Sequence, residues 1–219
     1  GTDETAPLIT CPPNQTIAAD ATCAGTVGAW TLLSKTDNCT APGAIAETQS
    51  PESGTVLSGH NDTKTVVLTA TDSHEKSASC SFTVTLKDVA PPIITCPANQ
   101  TVAVDASCAG VVGSHLATSS SDLCGSPIVT QSPAANTVLT GHNTAQTVTL
   151  TADDGHGNAA TCSLVVTLKD VVAPLITCPA NQIVVANGSC GGTVGIWSPA
   201  SSSDDCGSPA VTQSPAAST

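Results

Sequence analysis

The chain has 219 residues, 40% of them hydrophobic, and a formal net charge of -12 from five lysines, no arginine and seventeen acids. A nucleic-acid footprint needs clustered basic residues, so that class of partner is excluded. No apolar run reaches the roughly 20 residues of a membrane-spanning helix, so membrane insertion is not expected.

Only Trp30, Phe82 and Trp197 are aromatic, so the packed cores must be small and built from Val, Ile, Leu, Ala and threonine methyls. Serine and threonine together number 57, which favours strands and turns over helices. No basic, apolar-centred leader precedes Gly1, which predicts a mature chain or a fragment. Eleven cysteines without a CxxC pair predict disulfides and secretion, to the extracellular space or the cell surface. Their spacing is too wide for the short chelating knuckles of a zinc cluster.

In chain order, an opening strand at "ITCP" (9–12) is followed by a strand at "GTVGAW" (25–30), then "TQSP" (48–51) and "VLSGHN" (56–61). The strand "TVVLTATD" (65–72), the turn "SHEK" (73–76) and the strand "CSFTVTLKD" (80–88) complete a unit. After "VAPP" the order begins again. "ITCP" returns at 94–97, "GVVGSH" at 110–115, "TQSP" at 130–133 and "VLTGHN" at 138–143. "TVTLTAD" (147–153), the hairpin turn "DGHGN" (154–158) and "CSLVVTLKD" (162–170) follow. A third "ITCP" opens at 176–179.

Cysteine spacing fixes the register. Cys11, Cys23 and Cys39 are 12 and 16 apart, and so are Cys96, Cys108 and Cys124, and Cys178, Cys190 and Cys206. Cys80 and Cys162 supply a fourth cysteine to the first two units. The first unit carries three extra residues just after Cys39. The expected organisation is a first repeat at 1–88, a second at 89–170 and a third at 171–219 that stops before its last strands. Several short strands in about 80 residues predict an all-β protein of tandem β-sandwich repeats. The joints contain Pro91, Pro92 and Pro174, whose restricted φ predicts units abutting end to end as a stiff rod.

The frame "APPIITCP…TATD…CSFTVTLKD" resembles the hyalin repeat, an extracellular module with an immunoglobulin-like sandwich fold. The resemblance covers essentially the whole chain. The family's "GN" in the last hairpin is present as Gly157-Asn158, whereas "SHEK" replaces it in the first unit, and aromatics are scarcer than is usual there.

Four cysteines per unit allow three connectivities, and spacing leaves the choice open. Family members with two cysteines keep the first and fourth, and in an immunoglobulin-like sandwich the strands these open can lie side by side. The resemblance thus implies Cys11–Cys80 and Cys96–Cys162, with Cys23–Cys39, Cys108–Cys124 and Cys190–Cys206 closing the shorter loops. Cys178 is left without an assigned partner. Each bridge contributes about 2–4 kcal/mol, mainly by restricting the unfolded chain.

His60 and His142 share a column, as do His74 and His156, and read as surface-loop histidines. His115 falls in the column of Trp30 and Trp197, which reads as packing. No G-x-S-x-G elbow occurs. The adjacent carboxylates Asp153-Asp154 and Asp204-Asp205 point to opposite faces of a strand, so no enzyme is expected.

Aspartates also recur by column, with Asp37, Asp122 and Asp204 before the third cysteine. Asp72 and Asp154 lie in a turn, and Asp88 and Asp170 in a joint. Oxygen ligands from turn and joint make Asp72, Asp88, Asp154 and Asp170 a candidate calcium set, with no other cofactor expected. Asn14, Asn38, Asn61, Asn99 and Asn187 each head an N-x-S/T sequon, which predicts glycosylation. Asn181 shares the column of Asn14 and Asn99, but Ile183 removes its sequon.

The expected function is a structural or adhesive segment of a secreted array, a stiff glycosylated stalk or fibre. Its partners would be neighbouring repeats, copies of itself and covalent glycans. The alternatives are a glycan- or protein-binding adhesion module and an accessory region of a larger secreted enzyme. Near-identical loops favour the spacer over a dedicated binding unit.

Overall fold

The computed structural model describes residues 3–217. Strands form where short threonine-rich or β-branched runs meet turn residues. The first repeat carries β1 (Leu8–Thr10), β2 (Gln15–Ala18), β3 (Ala24–Thr26), β4 (Ser34–Thr36), β5 (Ala46–Ser50), β6 (Val56–Ser58), β7 (Thr63–Thr71) and β8 (Ser77–Lys87). The second repeats this order as β9 (Ile93–Thr95), β10 (Gln100–Ala103), β11 (Ala109–Val111), β12 (Ser119–Ser121), β13 (Ile128–Ser132), β14 (Val138–Thr140), β15 (Ala145–Asp153) and β16 (Ala159–Lys169). β17 (Leu175–Thr177) and β18 (Ser201–Ser203) follow. Among the described residues the one helical element is a 3-10 turn at Pro42–Ala44, within the three-residue extension after Cys39.

Each of the first two repeats is built on a four-stranded sheet, β2-β8-β7-β5 and β10-β16-β15-β13. β2 lies parallel to β8 and β10 parallel to β16, while β5, β7 and β8 pair antiparallel. The pairs β3–β6 and β11–β14 cover the inner face of each sheet, and β1–β4 and β9–β12 form a separate ladder. This all-β sandwich agrees with the fold class that the sequence implies. By proximity the chain forms two compact units. One runs up to Thr95 with Ala117–Thr130 and Thr151–Thr161; the other contains Cys96–Leu116, Gln131–Leu150 and the chain from Cys162 onward.

Alternation in the long hairpin builds the core. Val66, Leu68 and Ala70 of β7 and Phe82, Val84 and Leu86 of β8 all point inward and are buried. Val148, Leu150 and Ala152 of β15 and Leu164, Val166 and Leu168 of β16 repeat them. Burying each Val or Leu side chain contributes about 1.5–3 kcal/mol. Trp30 meets Phe82 edge to face at 5.4 Å. Gly25 and Gly110 are required where β3 and β11 cross this layer. A Cβ there would stand 2.7 Å from a methyl of Leu86 or Leu168 respectively.

The "TQSP" column is a backbone clamp. Gln49 accepts a hydrogen bond from the Trp30 amide at 2.8 Å, and its Nε2 donates to the carbonyls of Gly28 and Pro51. Gln131 does the same for His115, Gly113 and Pro133, and Gln213 for Trp197, Gly195 and Pro215.

Cys11 is bonded to Cys80 and Cys96 to Cys162, with Cα–Cα distances of 5.8 and 5.7 Å. The shorter loops are not closed as expected. Cys23 is bonded to Cys124 and Cys108 to Cys206, so Cys23–Cys39, Cys108–Cys124 and Cys190–Cys206 do not form. Cys39, Cys178 and Cys190 are exposed thiols.

The reason is the length of β7. The Cys23 carbonyl accepts from Gly59, just before β7 begins. Cys39 lies at the far end, where the hydroxyl of Thr40 meets that of Ser73 at 2.9 Å. Nine strand residues span about 30 Å, against the 4.4–6.8 Å between α-carbons that a disulfide bridges. The second cysteine of one repeat therefore reaches the third of the next. The separations are 101 and 98 residues, and their difference of three is the extension after Cys39.

Candidate functional site

The chemistry of this chain gathers around its aspartates. The link that follows β8 is held by side chains from both sides. The Asp88 amide donates to His60 Nδ1 at 3.0 Å, and its carboxylate, 4% exposed, accepts from the Ala90 amide at 3.1 Å through Oδ1. Its Oδ2 lies 3.2 Å from His156 Nδ1, whose ring stacks on His60 with centroids 4.1 Å apart. The next link repeats the first contact, with the Asp170 amide donating to His142 Nδ1 at 2.9 Å. The His60 and His142 column, read from sequence as surface loops, therefore accepts from the joint, whereas His156 of the other column faces the Asp88 carboxylate.

Accepting at Nδ1 requires a ring unprotonated on that nitrogen. Partial burial pushes the His60 pKa down, and the charges of His156 and Lys87 add to this. Asp154 anchors the hairpin turn through amides of His156 and Asn158 at 2.7 and 3.0 Å. Burial works against its ionisation, yet the Asn158 side chain and those amides hold its carboxyl below the usual range.

Two acidic clusters result, each within a single compact unit. Ligand atoms of Asp88, Asp154 and His156 lie within 4.8 Å of one another, and so do those of Asp3, Asp37 and Asp72. The structure thus brings Asp88 and Asp154 together. It places Asp72 with Asp3 and Asp37 instead, because each hairpin folds back onto the segment that opens its own repeat. Asp170 joins no such cluster among the described residues. Asp3 was not singled out from the sequence, and Asp37, recognised as a recurring column, was left out of the candidate calcium set. Asp3 stands eight residues before Cys11, as Asp88 does before Cys96, and that shared column was the available signal. Nearby, partial desolvation and the charges of Asp3, Asp37 and Asp72 raise the Cys39 thiol pKa.

The sequon asparagines are all exposed. Asn14 and Asn99 hold equivalent places, their Oδ1 accepting from the amides of Thr83 and Val165 at 2.9 and 2.8 Å. Asn61 has a left-handed backbone and pairs with Lys87. Asn38 pairs with Thr5, and the Thr40 of its sequon is buried. Asn187 caps a turn through the amides of Ser189 and Gly191, as Asp20 and Asp105 do in the earlier repeats. No helix among the described residues is long and apolar enough to cross a membrane.

No curated protein matches the chain. Solved structures with similar strand layouts include "PcdhgB3 EC1-4 in 50 mM HEPES", at 16% identity and a TM-score of 0.32, covering 84% of this chain and 57% of that one. Another is the Sidekick-1 immunoglobulin domains 1–5, at 14% identity and a TM-score of 0.42, covering 85% and 43%. A third is human Protocadherin-24 EC1-2, at 15% identity and a TM-score of 0.33, covering 76% and 99%. The chain spans less than two thirds of the length of the first two. Residues 87–168 match the HYR domain, from the end of β8 to that of β16. This segment holds "ITCP", "DGHGN" and "CSLVV" in order, and it is the part of the chain that is similar to the HYR domain.

Proposed function

We propose that the chain is a structural and adhesive segment of a secreted, non-catalytic array, with repeat boundaries near residues 88 and 170, serving as a stiff glycosylated stalk or fibre. The observation that carries this reading is the disulfide from the second cysteine of one repeat to the third of the next. A binding domain that folds on its own would close its bridges internally. A load-bearing array gains from bridges that span the link, because tension is then shared between the backbone and a covalent bypass. The buried Asp88, bonded to ring nitrogens on both sides, supports the same reading. On this scheme Cys39 bonds to a second-column cysteine, and Cys190 to a third-column cysteine, of adjoining repeats or copies. Exposed Asn14 and Asn99 carry glycans that shield the short outer strands β2 and β10.

Trypsin digestion without reduction tests the carrying observation, since cleavage after the five lysines separates the relevant cysteines. The peptide 1–35 is expected to be linked to both 77–87 and 88–169, and 88–169 to 170–219. Recovery of 36–64 bonded to 1–35 would show bridges closed within each repeat and remove the array argument.

A further inference from the structure

The two acidic clusters use the same columns but are not equally satisfied. In the second, Asp88 Oδ2 has His156, and Asp154 Oδ2 accepts from Asn158 Nδ2 at 2.7 Å. Only Asp122 Oδ2 is left buried without a hydrogen-bond partner there. In the first, Lys76 stands where Asn158 does, and its Nζ turns away to Glu4 at 3.3 Å. His74 Nδ1 is 3.7 Å from Asp3 Oδ2, beyond hydrogen-bond range. The Oδ2 atoms of Asp3, Asp37 and Asp72 are all buried and without a partner.

The other oxygen of each of these acids is occupied. Asp3 Oδ1 accepts from the Thr5 amide and hydroxyl, Asp37 Oδ1 from the amides of Cys39 and Thr40, and Asp72 Oδ1 from those of His74 and Lys76. The carboxylates are thereby fixed with their free oxygens converging. Asp3 and Asp72 are each only 6% exposed. Three carboxylate oxygens buried and facing one another repel and are stripped of water, which is unfavourable without a counter-charge.

We infer that Asp3, Asp37 and Asp72 form a binding site for a hard divalent cation, calcium, confined to the first repeat. The donors are all anionic oxygens, the set that calcium prefers. They lie within the roughly 5 Å that separates opposite ligands on one calcium ion. Waters complete the shell. The bound ion ties the hairpin turn and the loop before Cys39 to the opening segment of the chain. The second cluster has spent its oxygens on His156 and Asn158 and is the internal control. This site does not depend on the mechanical reading above.

Calcium chloride titrated calorimetrically into the whole, chelator-treated chain near neutral pH is expected to show one site with a dissociation constant of about 10⁻⁴–10⁻³ M, the range of extracellular modules. Asp72→Asn keeps the Oδ1 acceptor for the His74 and Lys76 amides, so the turn survives, and it should weaken binding by about tenfold or more. Lys76→Asn supplies the amide that Asn158 provides in the second repeat and should also weaken binding. Asp154→Asn should leave it unchanged. Absence of binding at about 10 mM calcium would overturn the site. So would a loss in Asp154→Asn matching that in Asp72→Asn, or binding retained in Asp72→Asn. Equal affinity for magnesium would overturn the assignment to calcium.

Discussion

Gln49 shows how a single side chain can account for a repeated word in the sequence. Two hydrogen bonds of one side-chain amide hold the strand-like segment 28–30 where no ladder reaches it, and a third ties that amide to the Pro51 carbonyl. Gln49→Ala leaves the Trp30 amide and the Gly28 carbonyl unpaired, and should destabilise the first repeat by about 1–3 kcal/mol. Hydrogen exchange followed by mass spectrometry is the check, since protection should fall in the segment around Trp30. Unchanged protection there would mean that the clamp is decorative. The column was visible as "TQSP" in all three repeats, but its meaning was not. Hydrogen bonds from a side chain to backbone 16–21 residues away leave no periodic trace.

At the scale of elements, the link after β8 depends on neutral imidazole. Because the folded His60 has its pKa lowered, the folded state takes up a proton less readily there than the unfolded chain. Its contribution to stability is intact at high pH and is lost as pH falls below the unfolded value of about 6.5. Melting temperature should therefore drop between neutral and mildly acidic buffer, and His60→Gln should flatten that drop. An identical acid sensitivity in the variant would exclude His60 as its origin. The strands themselves were legible in the sequence, because β7, β8, β15 and β16 alternate along their length and end at Asp- or Gly-bearing turns. The aspartate meeting points were only half legible. Columns identify equivalent residues, but which columns touch depends on the hairpin folding back to the start of its own repeat.

For the whole molecule, the acidic surface and exposed sequons favour a glycosylated exterior. Mass spectrometry of secreted material should find Asn14 and Asn99 modified and Asn181 bare. Asn38 should be modified less, since Thr40 is buried and hydrogen-bonded. Bare Asn14 and Asn99 would remove the glycan-coated stalk. The sequence repeat was plain from the cysteine spacing, yet the partners of the second and third cysteines were not, because spacing says nothing about which end of a sandwich a cysteine occupies.

The interleaved pairing also sets a timetable for biosynthesis. Cys23 cannot find Cys124 until 101 further residues have emerged, about 5–20 s at ribosomal speed. During that interval Cys39 is the nearest thiol along a chain not yet folded, so the premature bridge between them is the kinetic competitor. Each repeat is thus sealed only by the arrival of its successor. On the reading of a secreted array, early pairs have to be reopened by thiol–disulfide exchange until that successor comes.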